Sequence, residues 1–346
     1  SNRRQRQMCI RDRRGHRAPE GIPDSAACQR SPVKRVLVTG GAGFIGANLV
    51  RGLLADGLSV RVLDSLRKGD AGVRLLYANP DFELIHGDLR RPEAVVRAVR
   101  GVDAVIHLGG LAAADCRRDP AAAVEVNVAA TSMLTDVCRG MDVSRLVYAS
   151  SLEVYGRRGR AIDETSAPAP GTLFAATKLD AERTVLAAAD GSFHPVAFRL
   201  ADVFGAETHA DCASGLNRLV ARAWQSGVAP KRAGVRPLYR VHVSDVCAVL
   251  RQSLVAHPEA IGGEVFHVGC ERMRFSETAA IGLLAEAAPE LRIVWPEVER
   301  AAALGPVISF QKLRRRMGVT CRGALRQGLA ELLQVLRRGQ FGPARG

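Results

Sequence analysis

A chain of 346 residues, 47% of them apolar, can bury a large core, and with no apolar run of membrane-spanning length it is expected to be a cytoplasmic protein without a membrane partner. Its net charge of +14 invites a nucleic-acid reading, but half of the excess sits in residues 1–35, where nine Arg and one Lys face Asp12, Glu20 and Asp24. The remaining basic clusters, such as Arg314-Arg315-Arg316, lack the interleaved aromatics of a single-strand binder, so no nucleic-acid partner is expected.

Residues 1–31 show no apolar periodicity and read as a disordered basic tail. Arg3 to Arg14 resembles translated sequencing-adapter read-through, and the segment is left out of fold reasoning. The organised chain opens at Val36-Leu37-Val38, a short buried strand, followed at once by Thr39-Gly40-Gly41-Ala42-Gly43-Phe44-Ile45-Gly46. Ile45, Leu49 and Leu53 share one helix face, and Gly57 is a plausible stop. The first glycines permit a tight turn and close backbone approach to a pyrophosphate, Gly46 lets helix pack on strand, and the helix N-terminus offers N–H groups to the anion. Val60 to Leu63 is a second buried strand. It ends in Asp64, eighteen residues after Gly46, where a carboxylate meets a ribose 2′-hydroxyl and repels a 2′-phosphate. Arg67 and Lys68 follow as loop charges.

A third strand, Phe82 to Leu89, carries Asp88, which is placed beside the adenine. Pro92 starts a helix through Val95, Val96 and Val99. Ala104 to Leu108 is a fourth strand running into Gly109-Gly110, with His107 read as a hydrogen-bonded core histidine. Asp119-Pro120 opens a long helix holding Asn127 and reaching Cys138. Leu146 to Ser151 is the fifth strand, and Ser151, Glu153 and Val154-Tyr155-Gly156 lie at its carboxyl end, where ligands of parallel sheets bind. After a loop with Pro168, Pro170 and Gly171, a helix runs from Phe174 to about Ala189, with Phe174 and Lys178 on one face at i, i+4. The eight cysteines are scattered without a C-x-x-C pair, which points to reduced thiols and no metal site.

These motifs, with the R-L-A-D-V-F-G of 199–205 and the H-V-S-D of 242–245, resemble the extended short-chain dehydrogenase/reductases, in their NAD-dependent epimerase/dehydratase group that remodels nucleotide sugars. The resemblance covers roughly residues 34–338. It implies an α/β fold with a Rossmann-type doubly wound parallel sheet over 32–205. Residues 206–346 would form mainly a smaller substrate-binding lobe, with some segments returning to the sheet. NAD would be held by Gly40, Gly43, Phe44, Ile45, Gly46, Asp64, Asp88, Leu89, Leu108 and Lys178. Ser151, Lys178 and Glu153 would carry the chemistry, in a homodimer acting on a nucleotide sugar by transient hydride transfer. Two departures stand out. The group has a Tyr four residues before the Lys as proton carrier, and this chain has Phe174. The group also has an Arg that grips the diphosphate at the place of Leu238, for which Arg236 or Arg240 is a candidate substitute. The alternative function is a dinucleotide-binding protein with little or no turnover.

Overall fold

Val36 to Val38 and Val60 to Leu63 are apolar on both faces, the pattern of parallel strands covered by helices on either side. A computed structural model of the chain, which describes residues 33–156, 161–206, 215–226, 238–289, 306–323 and 325–338, places them side by side in the middle of a sheet. The chain begins with β1 (Arg35–Thr39), α1 (Phe44–Ala55), β2 (Ser59–Asp64), β3 (Phe82–His86), α2 (Pro92–Val99) and β4 (Ala104–His107). Then come α3 (Ala113–Arg118), α4 (Pro120–Val124), α5 (Ala130–Gly140), β5 (Arg145–Ser151), β6 (Ala161–Ile162), α6 (Leu173–Ala187), β7 (Val196–Leu200) and β8 (Asp202–Phe204). Next are α7 (Gly215–Ser226), β9 (Leu238–His242), α8 (Val243–Val255), α9 (Pro258–Ile261), β10 (Val265–Val268) and β11 (Arg274–Phe275). The last elements are α10 (Glu277–Ala287), β12 (Val307–Ile308), α11 (Gln311–Met317) and α12 (Leu325–Arg337).

Among the described residues, seven strands form one sheet in the order β10-β7-β5-β4-β1-β2-β3, each pair of neighbours parallel. Alternation along β1 sorts the core. Val36 and Val38 face Leu49, Leu53, Val246 and Leu250 of α1 and α8, whereas Leu37 faces Val95, Val99, Leu134 and Val185 of α2, α5 and α6. This is the Rossmann-type doubly wound α/β fold expected of the sequence. Strand order reverses between β1 and β4, so a crevice opens at their carboxyl ends, where such sheets bind ligands.

After Phe204 the chain does not leave the sheet for good, because β10 returns to pair with β7 at its edge. The short strands β8, β9 and β11 form a second sheet, and β6 pairs with β12. At the end of the described chain, Leu329, Leu332, Leu333 and Leu336 of α12 join the main core. The helix expected from Asp119 to Cys138 is interrupted by a π-helical turn at Glu125–Ala129, and α3, a polar six-residue helix without apolar periodicity, was not foreseen. Cys116, Cys138, Cys247, Cys270 and Cys321 are buried free thiols, whereas Cys9, Cys28 and Cys212 lie outside the described residues. Among the described residues no helix is long and apolar enough to cross a membrane, and no cluster of potential metal ligands occurs.

Candidate active site

The turn between β1 and α1 needs its glycines for separable reasons. Gly40 sits at φ +68°, a left-handed conformation that L side chains resist, and a Cβ there would lie 2.8 Å from the Gly109 backbone. A Cβ on Gly46 would strike the Gly40 carbonyl oxygen and come within 2.6 Å of Gly41 Cα, so helix and turn are in backbone contact. Gly43 is the N-cap of α1 and supplies no capping side chain, leaving the helix N-terminus facing the crevice for an anion.

Asp64 ends β2 beside that turn, and its carboxylate accepts from Ala42 N (3.0 Å) and Leu66 N (2.9 Å). The acid is thus fixed in orientation, with lone pairs remaining for hydroxyl donors. Arg67, which lines the same crevice, forms a bidentate pair with Asp115 of α3 (3.2 and 3.0 Å). Asp88 lines the same crevice but caps its own turn through Arg90 N (2.9 Å) and pairs with the Arg90 guanidinium at 2.6 Å, which holds its pKa down. Leu89 and Leu108 also border the crevice.

In the same crevice, α6 carries Phe174 and Lys178, β5 ends in Ser151 and the 3-10 turn after it carries Glu153, and all four line the cleft. Lys178 is buried, donates from Nζ to the Ala149 carbonyl at 2.8 Å and lies 5.0 Å from the centre of the Tyr148 ring. Burial lowers its pKa to about 8, against a small opposing effect of Cys116. Ser151 Oγ accepts from Glu153 N at 3.1 Å, so its own proton stays available. Glu153 is exposed to the cleft, yet the cleft walls strip enough water from it to raise its pKa, with the charge of Asp202 adding to the rise and Arg117 opposing it. Phe174 is half-buried at the cleft, with no titratable atom to offer.

His107 is the core histidine expected. It is fully buried between Thr39 Oγ1 (2.6 Å) and Thr131 Oγ1 (2.9 Å), and burial depresses its pKa to about 3. Asn127 does more than its motif membership suggested. Seated in the π-helical turn, it accepts from Leu111 N (2.7 Å) and donates to Leu111 O (3.2 Å) and Thr177 Oγ1 (3.1 Å), fastening the loop after β4 to α6. The signal that could have found it is a polar residue on the buried face of an otherwise apolar helix.

The second half of the chain corrects one expectation. Arg240 is fully buried, lies 3.2 Å from Asp202 directly across the β8–β9 register, donates to the Phe275 carbonyl and does not line the cleft where a diphosphate would lie. Arg236 lies outside the described residues. Leu238 is 46% exposed and lines the cleft, as does the exposed Arg218 of α7. The whole cleft measures about 1730 Å³, beyond the roughly 300–1,000 Å³ of an ordinary small-molecule pocket, and so has room for a dinucleotide and a second ligand together.

The profile of the NAD dependent epimerase/dehydratase family matches residues 36–269. The 2-alkyl-3-oxoalkanoate reductase of Stenotrophomonas maltophilia is 36% identical over 180 residues, covering 49% of this chain and 51% of the relative. The UDP-glucose 4-epimerase of Halalkalibacterium halodurans is 34% identical over 152 residues, covering 43% and 44%. The chain thus spans about half the length of these curated relatives. Among solved structures, MoeE5 in complex with UDP-glucuronic acid and NAD superposes with a TM-score of 0.74 at 28% identity, over 88% of this chain and 99% of that one.

Proposed function

The chain belongs to the NAD dependent epimerase/dehydratase family, with NAD as its cofactor, and on that premise we propose that it is an epimerase- or dehydratase-like oxidoreductase acting on a nucleotide sugar. The observation that carries the proposal is that Lys178, Ser151 and Glu153 line the same cleft as the glycine turn and Asp64. NAD, when bound, supplies a reversible hydride acceptor. The protein's part is to position and to move protons. Lys178 is placed to hold a ribose hydroxyl, and the Ser151 hydroxyl to bond the substrate oxygen at the reacting carbon. Glu153, whose pKa is raised by loss of water in the cleft, is the carboxyl suited to exchange a proton there. Arg218, an exposed cation of α7 that lines the cleft, is our candidate for the diphosphate in place of the buried Arg240. The proposal includes a cytoplasmic homodimer, whose oligomeric state light scattering on a size-exclusion column would check.

The sequence favours a second reading. Phe174 stands four residues before Lys178, where the family resemblance expects the proton-carrying Tyr, and losing a general acid/base costs about 10²- to 10⁴-fold in rate, which would leave a dinucleotide-binding protein with little turnover. Incubation with NAD and a panel of nucleotide sugars, followed by NADH absorbance and product mass, separates the two. Slow product formation on one sugar supports the enzyme. NAD binding with no product from either the parent or Phe174→Tyr supports the binder.

A further inference from the structure

The sugar chemistry aside, the adenosine end of the cleft holds a device that bears on which dinucleotide binds. Asp64 is fixed by two backbone N–H groups, but three residues on stands Arg67, a cation in the loop after β2. An Arg in this region is what accommodates a 2′-phosphate in dinucleotide folds, so acid and cation on one loop give opposite instructions. The structure resolves the conflict by geometry. Arg67 donates from Nη1 and Nη2 to the two oxygens of Asp115, a residue of α3 that lies 48 positions along the chain. Asp115 is well covered, with 14% side-chain exposure against 46% for Arg67, and accepts from Arg118 as well at 2.9 Å. The Arg67 guanidinium holds the Asp115 carboxyl below the usual range, with Lys68 and Arg118 helping, so the partner stays ionised at neutral pH. Both members of the pair line the cleft.

We propose that Asp115 is a specificity-positioning residue that enforces the choice of NAD over NADP by withholding Arg67 from a 2′-phosphate. Asp64 repels the phosphate directly, and Asp115 removes the neighbouring cation that would otherwise welcome it. To bind NADP through Arg67, the chain must first give up a bidentate ion pair, in which both terminal nitrogens of the fork are engaged. The pair is partly open to solvent, which limits the expected effect to a few-fold in affinity rather than orders of magnitude.

The test is a double-mutant cycle read by calorimetric titration of NAD and NADP without substrate, on the parent, Asp115→Asn, Arg67→Ala and the double variant, each checked for parent-like melting. Asp115→Asn is expected to tighten NADP binding by roughly three- to tenfold and to leave NAD within about twofold. In the Arg67→Ala background the same substitution should change neither. If the NADP gain survives without Arg67, the cause is the general field or Lys68 and the proposal fails. It fails equally if a folded Asp115→Asn shows no gain, or if NAD and NADP tighten alike. Should Asp115→Asn not fold, Asp115→Ser enters the cycle in its place, with the same outcomes deciding.

Discussion

Lys178 illustrates how one side chain sets a conflict between stability and function. Its ammonium is buried beneath the cleft, and its pKa falls from 10.5 to about 8. Because the folded value lies below the unfolded one, folding disfavours the charged form. The penalty is full below pH 8 and fades as pH rises towards 10.5, and the shift corresponds to roughly 3 kcal/mol. Lys178→Met is therefore expected to stabilise the unliganded protein against urea at pH 6.5, with an advantage that shrinks by pH 10. A gain that does not vary with pH would assign the effect to packing instead. One turn earlier on the same helix face, Phe174→Tyr would place a phenol where Lys178 can lower its pKa. Turnover on the right nucleotide sugar is expected to rise about 10²-fold with NAD affinity unchanged. A parent already turning over at about 10 s⁻¹ would show that another group carries the proton.

Among the elements, the turn from β1 into α1 is the least tolerant. The backbone contact at Gly46 leaves no flexible side chain to yield, so Gly46→Ala is expected to cost about 1–3 kcal/mol and to weaken NAD binding, both measurable by melting with and without the dinucleotide. Parent-like affinity in that variant would mean that the turn can open without loss. This element was also the most legible in the sequence, because strand, glycines, helix face and Asp64 lie within one short run whose periodicities report local geometry. What lay hidden was everything joined across long sequence distances. Arg240 was weighed as a grip for the diphosphate, yet the β8–β9 register sets it against Asp202. Arg67 reads from its neighbours as a solvated loop charge, yet the fold brings Asp115 of α3 to it. A hydropathy pattern shows which face of an element turns inward, not which charge will meet it there. The π-helical turn at Asn127 was equally silent, since one extra residue in a turn leaves the surrounding alanines and valines unchanged.

At the scale of the molecule, the last helix depends on the middle of the chain. Gly328 of α12 packs on Phe204 and His242, and His242 Nε2 lies 3.2 Å from Glu331. Leu332 is fully buried, and Leu332→Ala is expected to cost about 2–5 kcal/mol in urea denaturation, lowering the midpoint of a single transition. Two separated transitions would show that α12 and its neighbours melt as an independent unit. The return of β10 to the sheet has a further bearing on how the protein is made. β7 is complete at Leu200, but the strand that covers its outer edge does not begin until Val265. While the ribosome supplies the intervening segment, that row of unpaired amides and carbonyls remains open to any strand that arrives first. The nascent chain is then at its most prone to misassociation with its neighbours on the same messenger.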